Sequence, residues 1–258
     1  ISRLKKEAIL YDELLLLLEQ SSDRFYDTAE LEFELLLSNG LPLEFDDDYV
    51  YLKTSRTPIN EQNFCIVDIE TNGGSAKKGF QIIELGAVKY RNGEIIDKFE
   101  SLVYAKEIPE YIQTVTGINP KMLENAPVIQ KILRDFKMFL GDDVFVAHDI
   151  KFDYTFISDS FEKYHLGKLL NRKLCTIDLA KRTIEAEKYG LSSLKQILDI
   201  DVDNHHRAYY DALTTAILFG KSLENIDSLK VQTVEDLLTF SKSDNVINQH
   251  KKKENKNV

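Results

Sequence analysis

Three short stretches carry the residue types that do chemistry. FCIVDIETNGG, residues 64–74, ends an apolar run on Asp68 and Glu70, with Ile69 between them. AHDIKFDYTFI, residues 147–157, places Asp153 just after a short apolar segment, and HHRAYYDALTTAIL, residues 205–218, sets His206 five positions before Asp211. Side chains alternate along a strand, so Asp68 and Glu70 share one face and Ile69 takes the other. Two anions side by side at the end of a buried strand repel each other and lose hydration, so something must compensate them. Carboxylates and an imidazole can hold a cation or move a proton. Taken singly, each has an ordinary reading. A D-x-E can be a solvated strand end, and Asp153 can be an acid favoured by a helix dipole. His206 can be a loop residue and Asp211 an exposed helical one. The small or apolar neighbours Ala208, Ala212, Leu213 and Ala216 make that helix face a buried one. Their occurrence in this order along one α/β pattern weakens the ordinary readings together. The turn Thr71-Asn72-Gly73-Gly74 lets a substrate approach the backbone closely.

The elements that must position these residues can be read from periodicity. Strands are predicted near 64–69, 81–90 and 95–103, with Asn92-Gly93 as the hairpin turn between the last two. A helix is predicted from Pro120 to about Leu140, then a buried strand in DVFVAH and a helix from about Phe152. KLCTIDLAKRT reads as a strand entering a helix. LSSLKQIL, RAYYDALTTAILFGKSL and TVEDLLTF read as further helices. A three-strand meander followed by alternating strands and helices predicts an α/β fold, a mixed sheet flanked by helices.

Residues 1–60 read as a separate module. LKKEAILYDELLLLLEQ and DTAELEFELLLSNG predict two amphipathic helices, the second with capping-box spacing at Asp27 and Glu30 and a stop at Gly40. LEFDDDYVYLK predicts a hairpin turning at Asp46 to Asp48, which completes a winged-helix-like outline. SRTPIN is the expected linker. The expected division is therefore 1–60, a core over 61–225, and 226–258 as a C-terminal helix with a disordered basic tail, HKKKENKNV.

Composition narrows the function classes. With 258 residues, 43% hydrophobic, there is material for one large domain plus a small module. Leu14–Leu18 is the longest apolar run near the start, far short of the ~20 residues of a membrane span. No signal peptide is expected, although a start on Ile1 leaves room for a segment upstream. Cys65 and Cys175 form no C-x-x-C pair, which points to a reducing cytoplasm and against a zinc or disulfide scaffold. The net charge of −10 argues against a basic duplex binder. Residues 1–60 hold thirteen acids against six bases, which argues against DNA binding by that module. An acidic protein can still act on nucleic acid where metal ions supply positive charge.

From residue 64 to about 224 the sequence resembles the DEDDh (DnaQ-like) family of 3′–5′ exonucleases, on the side that includes the proofreading epsilon subunit of bacterial DNA polymerase III. FCIVDIET resembles the first motif, QIIELGAVKYRNGEII the second and third strands, TGINPKMLENAP the following segment and AHDIKFDYTFI the second motif. LCTIDLAKR and HRAYYDA resemble later landmarks. Residues 1–60 and the tail lie outside the resemblance. It implies an RNase H-like fold and assigns Asp68, Glu70, Asp153 and Asp211 as metal-binding carboxylates with His206 as general base. His205 does not fit the spacing. Arg207 stands where the tyrosine branch has its Tyr, so the histidine branch is the match. His148 is followed by Asp149 where the family has Asn.

The resemblance also implies two divalent cations, Mg²⁺ or Mn²⁺, which prefer oxygen ligands and relieve the paired carboxylates. Main-chain groups of Thr71 and Asn72 are expected to hold the 3′-terminal nucleotide, with Ile118 packing its base or sugar and His148 nearby. The implied activity is 3′–5′ hydrolysis of DNA to nucleoside 5′-monophosphates, as the proofreading activity of DNA polymerase III. The expected partners are single-stranded or frayed 3′ ends and a polymerase catalytic subunit, with no membrane. An exoribonuclease of the same family is the alternative. A scaffold subunit with a vestigial site would have lost a carboxylate or the base, and none is lost.

Overall fold

The computed structural model describes residues 1–21, 25–202 and 206–247. The N-terminal part consists of β1 (Ile9–Leu10), α1 (Tyr11–Glu19), α2 (Ala29–Ser38), β2 (Leu43–Asp46) and β3 (Tyr49–Leu52). The two helices and the hairpin match the expected outline. The first helix starts at Tyr11 instead of Leu4, because Ile9 and Leu10 are drawn into a strand against Val50 and Tyr49. α2 is capped by Thr28, whose side chain accepts from the Leu31 N–H, so Asp27 is not the cap. Leu14, Phe33, Val50 and Leu52 form its small core.

The larger sheet is built from β4 (Phe64–Thr71), β5 (Ile82–Arg91) and β6 (Glu94–Leu102). Next come α3 (Glu110–Thr116), α4 (Pro120–Leu123) and α5 (Ile129–Leu140). β7 (Val144–Ala147), α6 (Ile150–Lys163), β8 (Lys173–Cys175) and α7 (Thr176–Thr183) follow. α8 (Leu191–Ile197), α9 (Ala208–Glu224) and α10 (Val234–Phe240) complete it. The strand order is β6-β5-β4-β7-β8. The first three strands are antiparallel neighbours, while β7 and β8 run parallel to β4. Asn92 and Gly93 both have positive φ, 50° and 86°, as the tight hairpin turn requires. The single helix expected over 120–140 is two. Pro127 lacks an N–H and disfavours helical geometry at Ala126, so the chain breaks between α4 and α5. α3 was not foreseen.

Both faces of the sheet are covered. Cys65, Val67 and Ile69 join Phe136, Phe145 and Phe161 in one core. Phe64 and Ile66 join Val146, Phe219 and Leu237 in the other. Strand alternation then puts Asp68 and Glu70 on the same side as Phe64 and Ile66, the side covered by α9. The sheet therefore aims the acidic pair at the helix that carries Asp211.

The segment expected as a linker is packed. Pro58 bridges to Thr233, and the Val234 N–H donates to the Thr57 carbonyl at 3.1 Å. Buried Glu235 on α10 accepts from Arg172 Nε and Nη2 at 2.6 and 2.8 Å and from Thr54 Oγ1 at 2.9 Å. Glu235 thus joins the N-terminal part, the segment before β8 and the last helix. Removing one partner of a buried pair strands the other charge. Glu235→Ala is expected to lower the unfolding free energy by about 3–5 kcal/mol. A chain starting at Asn60, which loses Thr54 and the Pro58 bridge, should also unfold at lower urea. Unchanged urea midpoints in both would show these contacts to be incidental.

Candidate active site

Three elements and the segment leading into the last of them supply the site. β4 carries Asp68 and Glu70 at its C-terminal end. The first turn of α6 carries Asp153, 4% exposed, whose Oδ1 accepts from the Ile69 N–H at 3.2 Å. α9 carries Asp211, 8% exposed, whose Oδ2 accepts from the His206 N–H at 3.1 Å. His206 lies on the exposed lead into α9 and has a left-handed backbone, φ 60°. One ligand atom each from Glu70, His206 and Asp211 falls within 4.8 Å of the others.

The electrostatics match the crowding. Burial holds the Asp68 carboxyl well above the usual carboxylate range, and the charges of Asp153, Asp211, Glu70 and Glu84 push the same way. Glu70 is pushed up to about 8, first by burial and then by Asp211, Glu84 and Asp153, with Arg207 opposing. Burial pushes Asp153 up to about 7 against backbone hydrogen bonds, one of them from Ile69. Carboxyl groups in this state retain protons because their negative charge is not neutralised. An oxygen-rich set with one imidazole fits a hard divalent cation, whose charge reverses that balance.

Other expected site residues are placed differently. Ile118 is fully buried among Ile83, Ala105, Ile108 and Leu123, so it is a core residue and presents no surface to a base or sugar. The Asn72 N–H donates to the Gln81 carbonyl at 3.0 Å, and its Oδ1 accepts from the Gln81 N–H at 2.7 Å. Thr71 is buried and donates to the Gly73 carbonyl at 2.8 Å. Thr71 and Asn72 therefore close the β4–β5 loop. Gly73 serves the same loop, since a Cβ there would strike the Phe80 ring at 2.2 Å. His148 is held at the end of β7, its Nδ1 2.9 Å from Thr176 Oγ1. Burial lowers its imidazole to about 4, against the Tyr189 backbone and Asp149, so it is neutral near pH 7. Asp149 takes the cap position of α6 with φ 65° and no side-chain capping bond. His205 and the basic tail lie outside the described residues.

One residue at the site has no role in the sequence reading, and a second, Arg207, enters it only as the residue standing in place of a Tyr. Glu84 on β5 is the register partner of Glu70 and is 1% exposed. It binds Arg207, the residue after His206. The available signal was a lone acid inside the apolar run IIELGAV.

A family model described as Exonuclease (RNase_T) matches residues 65–219. The chain belongs to the exonuclease family. It is 37% identical over 208 residues to the PolC-type DNA polymerase III of Staphylococcus saprophyticus, over 80% of this chain and 14% of that protein. It is 38% identical over 200 residues to that of Staphylococcus aureus, over 76% of this chain and 13% of that protein. The exonuclease chain thus spans only 13–14% of the length of these relatives.

Solved structures agree in fold. Exonuclease X, in complex with 5′ overhanging duplex DNA, aligns with TM-score 0.53 and 23% identity over 69% of this chain and 99% of its own. E. coli exonuclease I with single-stranded DNA aligns with TM-score 0.55 and 14% identity, over 62% of this chain and 40% of its own. Cell-death related nuclease 4 aligns with TM-score 0.56 and 14% identity, over 65% and 64%. The exonuclease core is the RNase H-like mixed sheet that was expected.

The raised carboxyl groups tie stability to pH. Unfolded Asp and Glu titrate at ~4, whereas burial pushes Glu70 and Asp153 in the folded chain up to about 8 and about 7. Between those values the folded state binds more protons than the unfolded state, so stability is lost as pH rises. In chelator, the melting temperature is expected to fall between pH 5 and pH 8. Added Mn²⁺ should remove most of that fall, because it binds the deprotonated carboxylates. Thermal melts with and without metal check this; a flat profile in chelator would refute the crowding argument.

Proposed function

We propose that this exonuclease removes nucleotides from the 3′ end of DNA, releasing nucleoside 5′-monophosphates, as the proofreading part of a PolC-type DNA polymerase III. The observation that carries the reading is the convergence of Asp68, Glu70, Asp153, Asp211 and His206 from separate elements. Asp68, Glu70, Asp153 and Asp211 are the residues that would hold two divalent cations, Mg²⁺ or Mn²⁺. When bound, such cations neutralise the scissile phosphate and acidify the attacking water. His206, exposed and tied through its N–H to Asp211, takes the proton of that water. Buried Asp153 is held to β4 by the Ile69 N–H.

The resemblance of the core to PolC-type polymerases supports DNA as substrate and a polymerase as the attached partner. Cytoplasm is the proposed place of work. Among the described residues no helix is long and apolar enough to cross a membrane. The alternative role for His206, as a metal ligand, is supported by its lying within reach of Glu70 and Asp211.

The test uses 5′-labelled single-stranded DNA and RNA with Mg²⁺, Mn²⁺ or chelator. A ladder shortening from the 3′ end, metal-dependent and faster on DNA, is expected. Asp68→Ala, Glu70→Ala, Asp153→Ala and Asp211→Ala should each lose several orders of magnitude. His206→Ala should lose ~10²–10⁴ in kcat, the usual range for one general base, with Mn²⁺ affinity unchanged. A matching loss of Mn²⁺ affinity would make His206 a ligand. Degradation that persists in excess chelator would falsify the metal reading.

A further inference from the structure

We propose that Glu84 and Arg207 form a positioning clamp that sets the geometry of His206 and Asp211. The inference rests on the exonuclease reading above and assigns work to two residues that hold neither cation nor proton in it.

Glu84 is a buried acid in a strand whose neighbours Ile82, Ile83, Leu85 and Ala87 are all buried and apolar. A buried carboxylate is tolerable only when its oxygens are satisfied. Both are. Arg207 Nε lies 2.9 Å from Oε1 and 3.1 Å from Oε2, and Nη2 donates to Oε1 at 2.7 Å. The Ala208 N–H donates to Oε2 at 3.0 Å. This last donor is one of the N–H groups that a helix start leaves unsatisfied, and Arg207 at the cap position makes no side-chain capping bond. A strand residue 124 positions away therefore caps α9.

What the clamp fixes lies on either side of it in the chain. His206 precedes Arg207 and holds a left-handed backbone, φ 60°, which a side chain disfavours and the surroundings must impose. Asp211 sits one turn into the helix and accepts from the His206 N–H. β5 grips the same point twice. Gly86, two residues along from Glu84, lies so close that a Cβ would come within 2.2 Å of the Tyr209 nitrogen and 2.3 Å of the Ala208 carbonyl carbon. Arg207 also places a cation beside Glu84, which faces Glu70 across the strands. The fork geometry of guanidinium fixes orientation as well as charge, and an ammonium does not reproduce it.

Arg207→Lys in the full chain keeps the charge and removes the fork. With 5′-labelled single-stranded DNA at saturating Mn²⁺, kcat is expected to fall ~10–100-fold, the scale of a misplacement near 1 Å. KM should stay within about twofold, as expected when only transition-state alignment is lost. Mn²⁺ binding, followed by electron paramagnetic resonance without substrate, should weaken several-fold. Arg172→Lys is the matched control. It breaks a bidentate Arg–Glu pair of the same shape, with Glu235, remote from the carboxylates. It should shift the urea midpoint comparably and leave kcat and Mn²⁺ binding unchanged. Glu84→Gln, which keeps an acceptor for the Ala208 N–H, repeats the test if Arg207→Lys folds poorly. Effects on kcat and Mn²⁺ binding no larger than those of Arg172→Lys would overturn the clamp. Asp211→Asn separates the two claims. If it abolishes activity while Arg207→Lys does not, only the clamp is wrong. If it retains activity, the exonuclease site itself is misassigned.

Discussion

Asp68, Glu70, Asp153 and Asp211 repel one another at a site where the first two are half-buried and the last two buried, and the rest of the fold is what keeps them there. Burial is the first cause of their raised carboxyl groups, and for Asp68 and Glu70 the charges of the neighbouring acids add to it. The repulsion is resisted by packing on both faces of β4. Cys65, Val67 and Ile69 are locked under α5 and α6, while Phe64 and Ile66 are locked against Phe219. Slipping the strand by one residue would exchange those two sets and carry the acids to the wrong face. The hydrophobic cores therefore set the register, and the register sets where the negative charge accumulates. Dispersion and burial, which have no direction of their own, become positional through the period of the strand.

Two buried Arg–Glu pairs have the same chemistry and different consequences. Arg172 and Glu235 tie the last helix to the N-terminal part through Thr54. Arg207 and Glu84 tie the start of α9 to β5. Neither pair is a strong source of stability by itself, because desolvation offsets much of the attraction. Each specifies one arrangement of elements that apolar contacts alone would leave loosely defined. The first governs how two parts of the chain sit together, and the second lies next to His206 and Asp211 of the candidate site.

Much of this was legible in the sequence because it is local. The D-x-E at a strand end, the Asn-Gly hairpin and the acid one turn into a helix depend on residues within a few positions of one another. The break at Pro127 is equally local, since a proline disfavours helical geometry in the residue before it. Placement across the fold was harder to read. Ile118 had the right character for a base-packing residue, yet its burial depends on Ile83 and Leu123 from other elements. Asn72 follows a candidate motif, but Gln81 claims its amide and N–H. Glu84 and Arg207 stand 123 positions apart, and no pattern in either stretch announces the other. The packing of Ser55–Asn60 on α10 escaped for the same reason. Turn chemistry resembles linker chemistry until the partner strand or helix is in place.

The acidity of the chain bears on how such a site meets its substrate. A net charge of −10 gives no long-range attraction to a polyanion. On the proposed reading the positive charge arrives with the cations, concentrated where Asp68, Glu70, Asp153 and Asp211 converge. Attraction is then greatest at the scissile phosphate and weak elsewhere, which suits a domain that trims an end and releases it. The proposal then explains why a nucleic-acid enzyme can be acidic. On that reading the four carboxylates that would hold the ions matter more to substrate attraction than surface lysines would.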